Sequence, residues 1–271
     1  DAGGLASIGS VGAVTPGTVT VTNSQAGVDF TSTFNATTVT LSNTTGSIDF
    51  AGDTTISAGL TTAGVGYGLT FTGASNSIAG ATTLSNTGAL TLGDEATDSM
   101  TFVGGVSATS QSAISVAGTV ASQGTAGITL GDAGTSLSVT TNSTIGGTGT
   151  GVLDLGDAVL ADDVTLTVGT GIGNTVNLDA IAGTANNGVS NLTLNTTGAV
   201  TVAGAVGTDM GTVTVTNSGG TTFQSTVDAD TVTLSNTTGT ISFADDLTVG
   251  TGMSVAGQGF NVSITGGTNS I

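Results

Sequence analysis

The chain of 271 residues contains no Lys, Arg, His or Cys, and this absence limits its chemistry before any motif is considered. Without Cys there are no disulfides, thiolate nucleophiles or Cys-ligated metals. Without His, Lys or Arg, the usual nucleophile–base pairs and oxyanion-binding cations are missing. The 18 acidic side chains face no basic side chain. Nucleic acid is therefore excluded as a partner, because phosphate binding requires Lys or Arg.

Large side chains and prolines are almost as scarce as bases. There is no Trp, one Tyr, eight Phe and a single Pro, whereas Gly accounts for 46 residues. Disorder is disfavoured because hydrophobic residues make up 37% of the chain and charged residues only 7%. A core of Val, Leu, Ile and Ala must be narrow, since wide cores recruit more aromatics. No apolar run is long enough to span a membrane, so we expect no membrane insertion.

What the sequence does contain is a long-range repeat. Gly17–Ser24 returns 194 residues later as Gly211–Ser218, and Val39–Gly46 returns 193 residues later as Val232–Gly239. We expect residues 1–271 to form one continuous segment with about 1.4 copies of a 193–194-residue unit. Because the chain starts at Asp1 and shows no signal peptide, we interpret it as a mature or excerpted segment.

Short apolar–polar–apolar triplets recur along the whole chain, as in Val19–Val21, Leu90–Leu92 and Leu192–Leu194. This period of two is typical of strands with one face inward, and Gly and Asn between the triplets favour sharp turns. No stretch carries a helical period. The triplets cluster near a spacing of about 20 residues, the length of one solenoid turn. The sequence therefore predicts an all-β parallel β-helix, or β-solenoid, of roughly a dozen irregular rungs. The alternative is a pair of tandem β-sandwiches.

The sequence of Leu192–Val202, LTLNTTGAVTV, resembles the β-strand-repeat regions of very large bacterial surface proteins. These include filamentous-haemagglutinin-like adhesins and autotransporter passenger domains. The resemblance is one of Gly-, Thr-, Ser-, Asn- and Val-rich sequence rather than of a diagnostic motif, and it covers almost the whole chain. The chain differs from these families in lacking all Lys and Arg. The resemblance implies a secreted, cell-surface or extracellular fibrous protein folded as a parallel β-helix.

Two functions remain open from the sequence. The first is a structural one, a self-associating extracellular fibre or surface filament that grows head to tail through the unpaired strands at its ends. The absence of trypsin cleavage sites suits an exposed location. The second is an adhesin stalk that binds glycans or another cell. Only Tyr67, near Phe71, and Met253, near Phe260, stand out from the Thr-, Ser- and Gly-rich pattern, and filling the core of a rung explains them better than a binding patch does.

Acidic residues gather at predicted turns, and calcium is the one cofactor that they suggest. Asp228, Asp230, Asp245 and Asp246 are the candidate ligands, because clustered carboxylates at a tight turn can complete a calcium site. No calcium-binding loop motif is present, and Asp also caps turns through its own backbone.

Catalysis and ice binding complete the alternatives. We do not expect an enzyme: only carboxylates could act as acid and base, as in a polysaccharide hydrolase, and aromatic platforms for a sugar are lacking. Thr18, Thr20 and Thr22 would face outward together, as Thr-x-Thr arrays do on some ice-binding solenoids. The uneven spacing of the triplets argues against ice binding, and Thr is also a good exposed strand residue.

Overall fold

A computed structural model describes residues 4–12, 17–42, 44–132, 134–184, 189–257 and 259–271. Over these residues the chain is all-β, contains no helix, and forms a parallel β-solenoid of about 12 turns, which confirms the predicted fold. The tandem-sandwich alternative is wrong, because the strands of neighbouring turns pair parallel and in register rather than antiparallel. Asn43, inside one repeated segment, lies outside the described residues.

The strands are short, and several continue around a corner of the coil. In the first half of the chain they are β1 Ala6–Ile8, β2 Thr18–Val21, β3 Val28–Phe30, β4 Phe34–Leu41, β5 Ile48–Phe50, β6 Thr54–Thr62, β7 Leu69–Phe71, β8 Ser75–Ile78, β9 Thr82–Thr83, β10 Leu90–Leu92, β11 Ser99–Phe102, β12 Val106–Ala108, β13 Ile114–Ser122, β14 Ile128–Leu130 and β15 Leu137–Gly147. In the second half they are β16 Leu153–Leu155, β17 Ala158–Leu160, β18 Thr165–Val168, β19 Val176–Leu178, β20 Ile181–Gly183, β21 Ser190–Asn195, β22 Ala199–Val202, β23 Val206–Gly207, β24 Met210–Asn217, β25 Gly220–Phe223, β26 Val227–Leu234, β27 Thr240–Phe243, β28 Leu247–Val255 and β29 Asn261–Ile264.

Each turn of the coil contributes one strand segment to each of three faces. The first face stacks β1, β3, β5, β7, β10, the start of β13, the start of β15, β17, β20, β23 and the starts of β26 and β28. The second face stacks the starts of β4 and β6, then β8, β11, the later parts of β13 and β15, β18, β21, β24 and the ends of β26 and β28. The third face stacks β2, the ends of β4 and β6, then β9, β12, β14, β16, β19, β22, β25, β27 and β29.

The triplets fill a continuous apolar core between the three faces. In β10, Leu90 and Leu92 are buried and Thr91 points outward, and the same alternation recurs in most strands. The largest side chains stack on like side chains of the next turn: the rings of Phe30 and Phe50 lie 4.9 Å apart, and those of Phe50 and Phe71 lie 4.8 Å apart. The narrow core that the composition predicts is therefore filled by columns of similar residues.

Corners between faces require backbone that most residues cannot adopt. Gly118 lies at the corner inside β13, with a φ of 71°. A Cβ at this position would lie 2.3 Å from the backbone oxygen of Asp98 in the previous turn. Glycine is therefore needed both for the left-handed conformation and for the close approach of successive turns.

The sequence repeat and the structural turn are out of phase. Val39–Leu41 lies on the third face, where it pairs with β2, whereas its repeat Val232–Leu234 lies on the second face, where it pairs with β24. Counted along the strand ladders, the two segments are eight turns and two further faces apart. One copy of the repeat therefore advances the coil by about 8⅔ turns, at the roughly 22 residues per turn that such solenoids use. Each copy presents the same residues on a different face from the copy before.

Candidate functional site

The candidate calcium ligands lie on the last two turns and are divided between a strand and a corner. Asp228 points outward from β26, opposite Thr248 of β28. Asp230 follows it at the irregular corner between Ala229 and Thr231. Both side chains are exposed.

The other two candidates, Asp245 and Asp246, occupy the corner between β27 and β28. The carboxylate of Asp245 accepts a hydrogen bond from the backbone N–H of Asp246, at 2.9 Å. The carboxylate of Asp246 accepts one from the backbone N–H of Thr268, one turn further on, at 2.6 Å. Both carboxylates therefore already accept hydrogen bonds from backbone N–H groups.

No preformed multidentate site results from this arrangement. Within the described ranges, no group of three or more acidic side chains is close enough together to hold a metal ion. Calcium binding by Asp228, Asp230, Asp245 and Asp246 stays a prediction.

The hydrogen bond of Asp246 belongs to a recurring device that the sequence reasoning missed. Asp53, its equivalent in the first copy, accepts a hydrogen bond from the backbone N–H of Ser75 at 2.9 Å. Asn142 does the same for Thr165 at 2.8 Å. The expectation was that such residues cap their own turn, but their side chains bond to the backbone of the next turn. An Asp or Asn at a corner followed about 22 residues later by a strand start is the signal that could have revealed this.

The closest group of acids lies at the corner between β10 and β11. One carboxylate oxygen of Asp98 accepts hydrogen bonds from the backbone N–H groups of Asp94 and Glu95, at 2.9 and 3.0 Å. Partial desolvation, a hydrogen bond with Asp98 and the negative charges of Asp98 and Glu95 raise the pKa of the Asp94 carboxyl. This is a turn held together by one buried carboxylate, Asp98, which faces inward while Asp94 and Glu95 are exposed.

Hydroxyl side chains form a regular column on the second face. Its members are half-buried, outward-pointing residues of consecutive turns, paired in strict register: Thr119, Thr144, Thr167, Thr193, Thr214 and Thr233. A second column, two residues away along each strand, contains Thr165, Asn191, Thr212 and Thr231. We call these two columns the hydroxyl ladder. The uneven sequence spacing that argued against such an array is absorbed at the corners, so the strands themselves stay in register.

The residues that hinted at a binding patch pack inward instead. Tyr67 is fully buried, and burial raises the pKa of its hydroxyl. Met253 and Phe260 are half-buried and pack against the edge of the core on the last turn. The described surface therefore offers no aromatic platform at these positions.

The first and last described turns of the coil expose apolar side chains. At the first turn, Leu5 is 58% exposed and a cavity of about 320 Å³ opens between β1, β2 and β3. At the last turn, Val255 is 52% exposed and Ile271 is 63% exposed, and Val262 and Ile264 are also exposed. Together these are the largest exposed hydrophobic residues of the described chain apart from Val152 and Ile8.

Comparison with known proteins finds no protein-family model, no curated protein and no solved structure that matches this chain. The resemblance to bacterial surface proteins thus stays a prediction. Among the described residues, no helix is long and apolar enough to cross a membrane.

Proposed function

We propose that the protein is a structural, extracellular β-solenoid that associates end to end into fibres or surface filaments. The observation that carries this proposal is the pair of open ends. Each end combines exposed apolar side chains with strand edges that, among the described residues, pair with a neighbouring strand on one side only. A contact between the last turn of one copy and the first turn of the next is heterologous and does not close, so it propagates a filament.

The surface chemistry supports an exposed, mechanical role. With 18 carboxylates and no basic side chain, the flanks of neighbouring rods repel one another, which leaves the ends as the favoured contact. The absence of Lys and Arg removes every cleavage site for trypsin-like proteases. The resemblance to secreted bacterial surface proteins points to the same location.

The end contact can be tested with two substitutions in β29. Ile264→Asp places a charge among the exposed apolar residues of the last turn, whereas Ser263→Asp places it on the outward side of the same strand. We expect sedimentation velocity at rising protein concentration to show assembly of the wild-type chain and of the Ser263→Asp control, and its loss in Ile264→Asp. Discrete monomers of the wild-type chain at all concentrations would contradict the proposal and favour the adhesin-stalk alternative.

A second candidate function, ice binding, is favoured by the strict register of the hydroxyl ladder. Its hydroxyls repeat at about 4.8 Å along the axis and about 6.7 Å along each strand. Rows of oxygen atoms in ice repeat at similar distances. The central strands of the ladder, β18, β21 and β24, carry no carboxylate, and the rigid χ1 of Thr fixes the hydroxyl positions. In the second column, the hydroxyl of Thr165 accepts a hydrogen bond from the side-chain amide of Asn191 at 3.5 Å.

This candidate is tested on ice itself. Thr193→Tyr with Thr214→Tyr disrupts the ladder, and Thr201→Tyr, which points outward from the third face of the same region, is the control. Ice binding predicts that the wild-type chain and the control inhibit recrystallisation and partition into growing ice, and that the double variant loses both effects. Exclusion of the wild-type chain from ice would eliminate this function.

A further inference from the structure

The exposed surface at the last turn has buried equivalents in the first copy of the repeat. Val262 and Ile264 are each 36% exposed, whereas Leu69 and Phe71, which lie 193 residues earlier, are fully buried. Ile271 is 63% exposed and its equivalent Ile78 is fully buried. All of these positions carry apolar side chains, and the members of each pair differ in whether a further turn covers them.

The structure shows what covers the buried members of these pairs. Leu69 and Phe71 lie under Leu90 and Leu92 of β10, in register. Ile78 lies under Phe102 of β11. On the remaining face, the end of β6 bonds to β9 through the hydroxyl of Thr62 and the carbonyl oxygen of Thr83, at 3.3 Å. One segment, residues 82–102, therefore covers all three faces.

We propose that the surface formed by Val255, Val262, Ile264 and Ile271 is a docking surface for a further copy of the repeat, entering through residues equivalent to 79–102. This inference goes beyond the proposed end contact, in which the first turn of another chain covers the last turn, because it assigns a specific segment of the repeat and its register to this surface. Residues equivalent to 82–84 would cover the second face, those equivalent to 90–92 the third, and those equivalent to 100–102 the first.

The junction between the two copies already present shows that copies join without a break. The first copy passes into the second near residue 194, inside β21. There Leu192 and Leu194 pair with Leu166 and Val168 of the preceding turn and with Val213 and Val215 of the following one. All of these residues are buried. A segment equivalent to residues 79–102, added after Ile271, would continue the second copy in the same unbroken way, two faces further around the axis than residues 79–102 because each copy advances about 8⅔ turns.

The register of the strands predicts which added segment can cover the last turn. We would append a second copy of residues 79–108 directly after Ile271 and compare it with the same extension carrying Leu90→Asp and Leu92→Asp in the added segment. The matched control carries Thr91→Asp there, which changes an outward position between the same two leucines. Amide hydrogen exchange, measured at a concentration where the unextended chain is monomeric, reports whether β29 and residues 269–271 gain a neighbouring strand.

We expect the native extension and the Thr91→Asp control to slow exchange in β29 and in residues 269–271, and the double-Asp extension to leave it fast. Equal exchange with and without the native extension would overturn the proposal, as would equal protection by the double-Asp extension. The result is independent of filament formation, because exchange is read on monomers. Failure to form filaments would overturn the proposed function alone.

Discussion

The two copies of the repeat place related sequences in two different environments. Residues 38–78 lie in the body of the coil, whereas residues 231–271 end at an open turn and sit two faces further around the axis. Leu69 and Phe71 are fully buried, but Val262 and Ile264 are 36% exposed. This difference shows that the burial of a side chain in a solenoid depends on the adjacent turn as well as on its own strand, because each turn contacts only its neighbours. The following substitutions should therefore cost more in the first copy than at matched positions in the second.

We expect the largest loss of stability among the stacked phenylalanine rings of neighbouring turns. Phe50 stacks between Phe30 and Phe71, whereas its equivalent Phe243 stacks only on Phe223. Phe50→Ala should lower the free energy of unfolding by about 3–5 kcal/mol, because it leaves a cavity within a fully buried stack. Phe243→Ala should cost less, since the open end can relax. Chemical denaturation of both variants measures the two losses of stability. Equal losses would contradict the claim that the neighbouring turn sets the value of each ring.

Glycines at the corners should give the next largest effect. A Cβ on Gly73 would lie 2.4 Å from the backbone oxygen of Gly52, and one on Gly266 would meet Asp245 at 2.5 Å. Gly73→Ala should cost about 1–3 kcal/mol, because neither turn can move away. Gly266→Ala should cost less, since the last turn can shift outward. Thermal or chemical unfolding of each variant tests this.

Gly59 provides the control for that measurement, because nothing lies within 4 Å of a Cβ added there. A Gly59→Ala variant as unstable as Gly73→Ala would show that close approach of the turns is not the cause.

Replacing an asparagine at a corner should also cost more stability in the first copy than in the second, although the loss is smaller than for the phenylalanines. The side chain of Asn76 donates to the carbonyl oxygen of Gly73 at 2.6 Å and accepts from the N–H of Thr54 at 3.2 Å. Asn269 makes the equivalent bonds, but it is exposed. Asn76→Ala should cost about 1–3 kcal/mol, because buried backbone groups lose their partner. Asn269→Ala should cost less, since water replaces the side chain; denaturation curves of equal cost would contradict this.

The smallest effect concerns pH. Partial desolvation, Asp98 and Glu95 raise the pKa of Asp94 in the folded protein above its unfolded value. The folded state then binds the proton more tightly, so this residue makes stability fall as pH rises through the folded pKa. Asp94→Asn should remove that fall and leave a slightly more stable protein at neutral pH, with no difference at a pH below both pKa values. Unfolding midpoints across pH measure this.

Asp154→Asn is the control for the pH experiment, because Asp154 faces Thr129 and Asn177 in the adjacent turns rather than other acids. The same gain in stability from Asp154→Asn would point to net charge as the cause instead of the local group of acids.

The strands and the core could be predicted from the sequence because each triplet carries its own signal. Leu90–Leu92 and Leu192–Leu194 indicate inward and outward positions without reference to any partner. The phase between repeat and turn could not be predicted, since corner lengths vary and the strand register decides which face receives Val232–Leu234. For the same reason the sequence reasoning argued against a regular hydroxyl ladder. The bond from Asp246 to Thr268 was missed because it joins neighbouring turns rather than neighbours in sequence.

Electron cryo-microscopy of the unmodified chain at rising concentration tests the central claim most directly. The account predicts filaments one solenoid wide whose length grows with concentration, with a layer spacing of about 4.8 Å along the axis. Separate rods of a single length, about 12 turns long at every concentration, would contradict end-to-end growth.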